Sequence, residues 1–164
     1  MLQFAEKTAT IGSVNVRAEK HGDEFVPACD IGITLNLDAS VLDMLDEQLR
    51  SLLFCKRADP GDLANQGHLA PNLRFPLLGA IPWKWEGMGY TETITQGVGA
   101  GTPIIVEACE INKLVLQPME GGTVSVAMRV QFRPDDVELY AALCPLVQHE
   151  VTLTLEPPEP APAP

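Results

Sequence analysis

Apolar and polar residues alternate strictly in several stretches of this chain. Val124, Val126, Met128, Val130 and Phe132 fall on one face of an extended segment, and Ser125, Ala127, Arg129, Gln131 and Arg133 on the other. A period of two with one apolar face predicts a half-buried strand. Ile31, Ile33, Leu35 and Leu37 alternate with Gly32, Thr34 and Asn36 in the same way, and Val151, Leu153 and Leu155 with Thr152 and Thr154. Less regular strands are expected at 8–17, which is rich in β-branched residues, at 83–96, which is aromatic and Thr-rich, and along the mostly apolar run 104–117. Gly121-Gly122 reads as a hairpin turn and Lys20-His21-Gly22-Asp23 as an earlier hairpin tip. Gly97, Gly99 and Gly101 mark a looser connection.

Two segments change period. Within 41–53, Val41, Leu45, Leu49 and Leu52 share one helical stripe that Leu42 and Leu53 widen, while Asp43, Asp46, Glu47 and Arg50 fall elsewhere. Ser40, with Asp43 three residues on, predicts the N-cap. A second helix is expected over 136–143, capped by Asp135 and closed by Pro145. The expected fold class is α+β and strand-rich: an antiparallel β-sheet, strongly curved or built as two related halves, with two short amphipathic helices packed on it. The two halves are suggested by an echo. A hairpin, a long strand and an amphipathic helix occur once through Val16, Gly22 and Val41, and again through Leu114, Gly121 and Val137.

Residues 1–156 read as one globular β-rich domain, a length that can bury a sizeable core. Residues 157–164 form a Pro-rich flexible tail of polyproline character. The longest irregular connection is 56–76, with functional loop and disorder as equal expectations. No apolar run is long enough to span a membrane. The first residues lack the basic start and apolar stretch of a signal peptide, so a cytoplasmic location is expected. Cys29, Cys55, Cys109 and Cys144 are widely spaced and read as free thiols. The formal net charge of −11 argues against a broad phosphate-binding face and suits a basic or electrostatically steered partner, or simply solubility.

Candidate chemistry is sparse. There is no G-x-S-x-G turn, and His21, His68 and His149 stand in three unrelated settings. No Cys or His pair has zinc spacing, and Asp59 and Asp62 flank Pro60-Gly61 without an EF-hand loop. The Gly-rich run 96–102 is followed by no Lys-Ser or Lys-Thr and precedes a strand, unlike a phosphate loop. The expectation is therefore no catalytic residue, no metal and no cofactor. The best binding candidates are aromatic. Trp83 and Trp85 should share one strand face with Lys84 and Glu86 on the other, and Arg74, Phe75 and Tyr90 lie close in sequence. These rings serve as core, anchor a protein interface, or stack unpaired bases beside Arg74 and Lys84.

Segment 15–24 (Asn-Val-Arg-Ala-Glu-Lys-His-Gly-Asp-Glu), Leu73-Arg74-Phe75-Pro76, Trp83-Lys84-Trp85-Glu86-Gly87, Glu120-Gly121-Gly122-Thr123-Val124, Glu138-Leu139-Tyr140 and Val151-Thr152-Leu153-Thr154-Leu155 carry a resemblance. In these stretches the chain resembles a group of small uncharacterised tailed-phage and prophage proteins. The resemblance implies a phage or prophage origin among DNA replication and recombination functions, and transfers no activity. The expected function is a non-catalytic accessory protein that binds another protein or a second copy of itself. The alternatives are a single-stranded nucleic-acid-binding or clamp-like protein, and an inhibitor of a host defence protein.

Overall fold

The computed structural model describes residues 1–55, 72–97, 101–134 and 137–159. Among them are the strands β1 (Phe4–His21), β2 (Glu24–Asp38), β3 (Phe54–Cys55), β4 (Asn72–Leu73), β5 (Ile81–Trp83), β6 (Gly87–Thr95), β7 (Ile104–Met119), β8 (Thr123–Phe132) and β9 (Glu150–Glu156). The helices are α1 (Val41–Leu45), α2 (Leu49–Leu53) and α3 (Val137–Leu143), followed by a 3-10 turn at Cys144–Leu146. The loop expected at 56–76 lies mostly outside the described residues, as do His68, Asp59, Asp62, Gly99, the cap Asp135 and the tail beyond Glu159.

The sheet is not open. Its order β7-β6-β9-β1-β2-β8 closes through a β8–β7 ladder into a six-stranded barrel, antiparallel throughout, with β5 prolonging β6 along the same edge of β7. Closure pairs every one of the six strands on both sides over part of its length. The alternating strands supply its interior. Ile31, Ile33, Leu35 and Leu37 face Val130, Met128, Val126 and Val124 across the β2–β8 ladder, and all eight are buried. Val151, Leu153 and Leu155 of β9 and Ile111, Leu114 and Leu116 of β7 complete the packed interior. Glu120, Gly121 and Gly122 form the three-residue connection from β7 to β8, and both glycines adopt the left-handed conformation, with φ of 82° and 77°.

The strand order also shows how the echoed halves combine. β1-β2 with its helices and then β5-β6 forms one unit, and β7-β8 with α3 and then β9 forms the other. Each third strand pairs with the first strand of the other unit: β6 with β7, and β9 with β1. The bulges repeat as well. β1 gains one residue at Glu6 (φ 50°) opposite Leu155 and Leu153, and β7 gains one at Ala108 (φ 52°) opposite Tyr90 and Glu92. A second slip follows in each long strand, between Ile11 and Ser13 and between Asn112 and Val115. In this correspondence Leu155 occupies the place in one unit that Glu92 holds in the other, and the two face each other across the β6–β9 ladder.

The helices depart from expectation. The 41–53 segment is two helices, because Asp46 turns extended (φ −159°) and its carboxylate accepts the Gln48 N–H at 2.8 Å. Ser40 makes no side-chain cap; Asp38 accepts the Ser40 N–H at 2.8 Å instead. Nor do the helices share one sheet face. α1 follows Asp38 and α3 follows Phe132, which lie at opposite ends of the β2–β8 ladder. Val41, Leu42, Leu49, Leu53, Leu143 and Leu146 join the core from these segments. Pro145 lies within the 3-10 turn that follows α3. No helix among the described residues is long and apolar enough to cross a membrane.

Candidate binding site at the Trp83–Trp85 groove

The strand expected over 83–96 is interrupted. β5 ends at Trp83, residues 84–86 leave the ladder with the Trp85 N–H donating to the Trp83 carbonyl at 2.9 Å, and β6 begins at Gly87. This break and the bulge at Lys113 (φ 52°) face one another, since Trp83 pairs with Leu114 and Pro82 with Val115. Between them opens a groove of about 570 Å³ walled by Pro82, Trp83, Trp85, Leu114 and Val115, with Lys84, Glu86 and Lys113 also lining it.

Both tryptophans are half-buried, packed against the core at their base and open to the groove. Trp85 meets Tyr90 edge-to-face, with ring centroids 6.0 Å apart at 79°. Gly87 makes that contact possible: a Cβ there would lie 2.5 Å from a Tyr90 ring carbon and 2.6 Å from one of Trp85. Tyr90 itself is a core residue at 1% exposure, so it supports the groove from beneath and offers no surface. Arg74 and Phe75 are exposed elsewhere. The Arg74 N–H donates to the Leu53 carbonyl at 2.8 Å and its guanidinium to the Ser51 carbonyl at 3.2 Å, tying it to α2. Of the six sequence candidates, the fold brings Trp83, Lys84 and Trp85 together, supported by Tyr90, and leaves Arg74 and Phe75 out of the groove lining.

Sequence reasoning missed three features. Lys113 completes the groove, and its only signal was a lone cation in an apolar run. Glu92 is fully buried, with neither carboxylate oxygen hydrogen-bonded among the described residues. Its signal was legible: Tyr90, Glu92 and Ile94 alternate with Thr91, Thr93 and Thr95, which places the carboxyl on the inner face. Burial pushes that carboxyl up to about 8. The neighbouring Cys109 thiol, donating to the Val106 carbonyl at 3.2 Å, is pushed up to about 12, first by burial and then by Glu92. Burial also raises Tyr90, whose hydroxyl approaches the Leu2 backbone without reaching hydrogen-bond geometry.

The third missed feature is a polar network on the outer wall. Arg17 donates to both Asp30 oxygens at 3.1 Å and also pairs with Glu19, and Gln131 donates to Asp30 at 2.9 Å. Arg129 donates to Asn112 and Gln131 at 2.8 Å, and Asn112 to Glu110 at 2.6 Å. The network spans β1, β2, β8 and β7 and satisfies its own charges, as structural ion-pair networks do. Beyond it the β1–β2 hairpin continues past the barrel, with Val16 and Phe25 exposed. Among the described residues no group of His, Cys, Asp or Glu is arranged to hold a metal ion. No protein-family model, curated protein or solved structure matches this chain.

Proposed function

We propose that the protein acts by binding, without catalysis, and that the Trp83–Trp85 groove receives a segment of a partner protein. The carrying observation is the pair of half-exposed tryptophans walling an apolar groove of about 570 Å³. Large aromatic anchors in a partly desolvated pocket are the residues that dominate protein-binding energy. The net charge of −11 favours a protein segment over a nucleic-acid strand, since phosphates would meet an acidic body. With the resemblance to phage and prophage proteins, the proposed partner belongs to replication, recombination or host-takeover functions. An inhibitor of a host defence protein would use the same surface.

A second reading rests on Lys84 and Lys113 beside the rings: single-stranded nucleic acid could stack on Trp83 and Trp85 with its phosphates on these lysines. The two units interleave in one barrel instead of standing as separate sheet-and-helix lobes, which leaves a clamp comparison without support. Self-association is served by a different surface, the projecting β1–β2 hairpin with Val16 and Phe25.

The chain holds two tryptophans, and both line the groove, so indole fluorescence reports on this site alone. Titration with a peptide panel should shift the emission, and a Trp83→Ala variant should lose the response. A response to oligo-dT that weakens with salt, with none to any peptide, would replace the protein reading by the nucleic-acid one.

A further inference from the structure

We infer that the groove recognises polyproline segments and that its resident occupant is this chain's own Pro-rich tail, folded back along the open edge of β5 and β6. The inference rests on the reading of the groove as a docking site and names the ligand class it takes.

The register supplies the first argument. β9 leaves the barrel antiparallel to β6, with Glu92 facing Leu155 and Thr91 facing Glu156. Continued by two residues, that register sets Pro158 against Gly89. The contact is present: the Pro158 ring carbons lie 3.4 and 3.7 Å from where a Gly89 Cβ would stand. At Pro158 the chain is therefore still alongside β6, on a course toward Gly87 and Trp85. Extending that register would set Pro160 opposite Gly87, beyond which the break at 84–86 leaves Pro162 and Pro164 to follow the edge beside Trp85 and Trp83.

The second argument is the free edge. β6 pairs with β9 only over Thr91–Thr95, and β5 pairs only with β7, so the edge of 81–90 turned away from β7 carries no strand among the described residues. Prolines at every second position suit such an edge, because they cannot donate to a ladder yet hold an extended backbone at little entropic cost. Length agrees too. The six steps from Pro158 to Pro164 in polyproline geometry reach roughly 19 Å, and the six steps from Gly89 to Trp83 would cover at most roughly 20 Å even at full strand rise.

The third argument is chemical. Residues 160–164 read Pro-Ala-Pro-Ala-Pro, apolar and uncharged, and beside the open edge stand the half-buried indoles of Trp83 and Trp85 with exposed Pro82. Aromatic-lined grooves recognise polyproline helices in this manner. Tethering raises the effective concentration to the order of millimolar, so even weak recognition keeps the tail seated.

The test uses the full-length chain and a triple variant, Pro160→Gly, Pro162→Gly and Pro164→Gly, compared by iodide quenching of the two tryptophans. Because the three positions follow the last strand, which ends at Glu156, far-UV circular dichroism should be unchanged, and the quenching constant should rise about twofold as the tail detaches. A free peptide of sequence 157–164 should bind the variant more tightly than the wild type and restore the shielding. Equal quenching in the two proteins would overturn the inference. A shielding that disappears on dilution would also overturn it, by assigning the occupant to a neighbouring copy. The underlying groove reading is checked separately in the same variant. A response to other peptides with unchanged quenching retires the tail alone, and silence to every peptide retires both.

Discussion

Replacing Glu92 by glutamine isolates the least expected group in the barrel. The carboxyl is fully buried, faces Leu155 on β9 and Val106 on β7, and has no hydrogen-bond partner among the described residues. Burial raises it from an ordinary 4.5 to about 8. Below pH 4.5 the group is protonated whether the chain is folded or not, and the fold carries no ionisation penalty. Between 4.5 and 8 the folded chain holds a proton that the unfolded chain has released, so stability falls as pH rises, by about 1.4 kcal/mol per unit. The cumulative loss is about 3 kcal/mol at pH 7 and about 5 kcal/mol once pH passes the folded value, where it levels off. Glutamine cannot ionise and escapes this loss while keeping the shape. Urea melts of wild type and Glu92→Gln at pH 5, 7 and 8.5 should therefore diverge with rising pH, the variant gaining about 3 kcal/mol on the wild type between pH 5 and 7. In thermal melts that gain corresponds to roughly 6–12 °C for a chain of this size. Contributions from other titrating groups are common to both proteins and cancel in the difference. Parallel pH profiles would refute the reasoning, because they would mean that the Glu92 carboxyl is either solvated or paired in the folded state. Glu92→Leu extends the test, since leucine is what the corresponding position of the other unit already holds.

Gly87→Ala should destabilise by about 1–3 kcal/mol in urea and perturb the tryptophan emission, because its Cβ would press on both Tyr90 and Trp85; Gly79→Ala, which meets nothing within 4 Å, is the control. Asp30→Ala should cost about 2–4 kcal/mol by leaving the part-buried Arg17 without its two-oxygen partner and Gln131 without an acceptor; denaturation in urea, which does not screen charge, measures it. Alkylation of the native protein at pH 8 followed by mass mapping should label the exposed Cys144 first and spare Cys29 and Cys109, which burial removes from solvent and pushes up to about 11 and 12. Labelling of either buried thiol at the rate of Cys144 would contradict the packed interior.

Much of the wall was legible because its cause is local. A residue inside a strand alternates faces whatever the strand pairs with, so Ile31 to Leu37, Val124 to Phe132 and Val151 to Leu155 announced their inner faces directly. Turns with glycine at positive φ were legible for the same reason. The helix at 41–53 was misread as continuous because its apolar stripe persists through Asp46, while the break comes from one carboxylate capturing the Gln48 N–H. Alternation puts Lys84 and Glu86 on the face opposite Trp83 and Trp85, yet all four line the groove because residues 84–86 leave the ladder, and Tyr90, near them in sequence, is a core residue.

The sequence by itself determined most of the inventory: which segments extend, which side of the regular strands is apolar, and where the chain turns. Only the tertiary structure decided closure. The β7–β8 and β1–β2 hairpins are local, but nothing within them distinguishes an open sheet from a barrel, because that choice rests on the long-range ladders β2–β8, β1–β9 and β6–β9, which form only if twist brings distant strands together. Closure then fixed what the candidate residues became. It sealed Glu92 against Leu155, brought Lys113 across from Trp83, and aimed the end of β9 along the edge where the two tryptophans stand. These are contacts between residues many tens of positions apart, set by ladder register, and no periodicity within either segment encodes them.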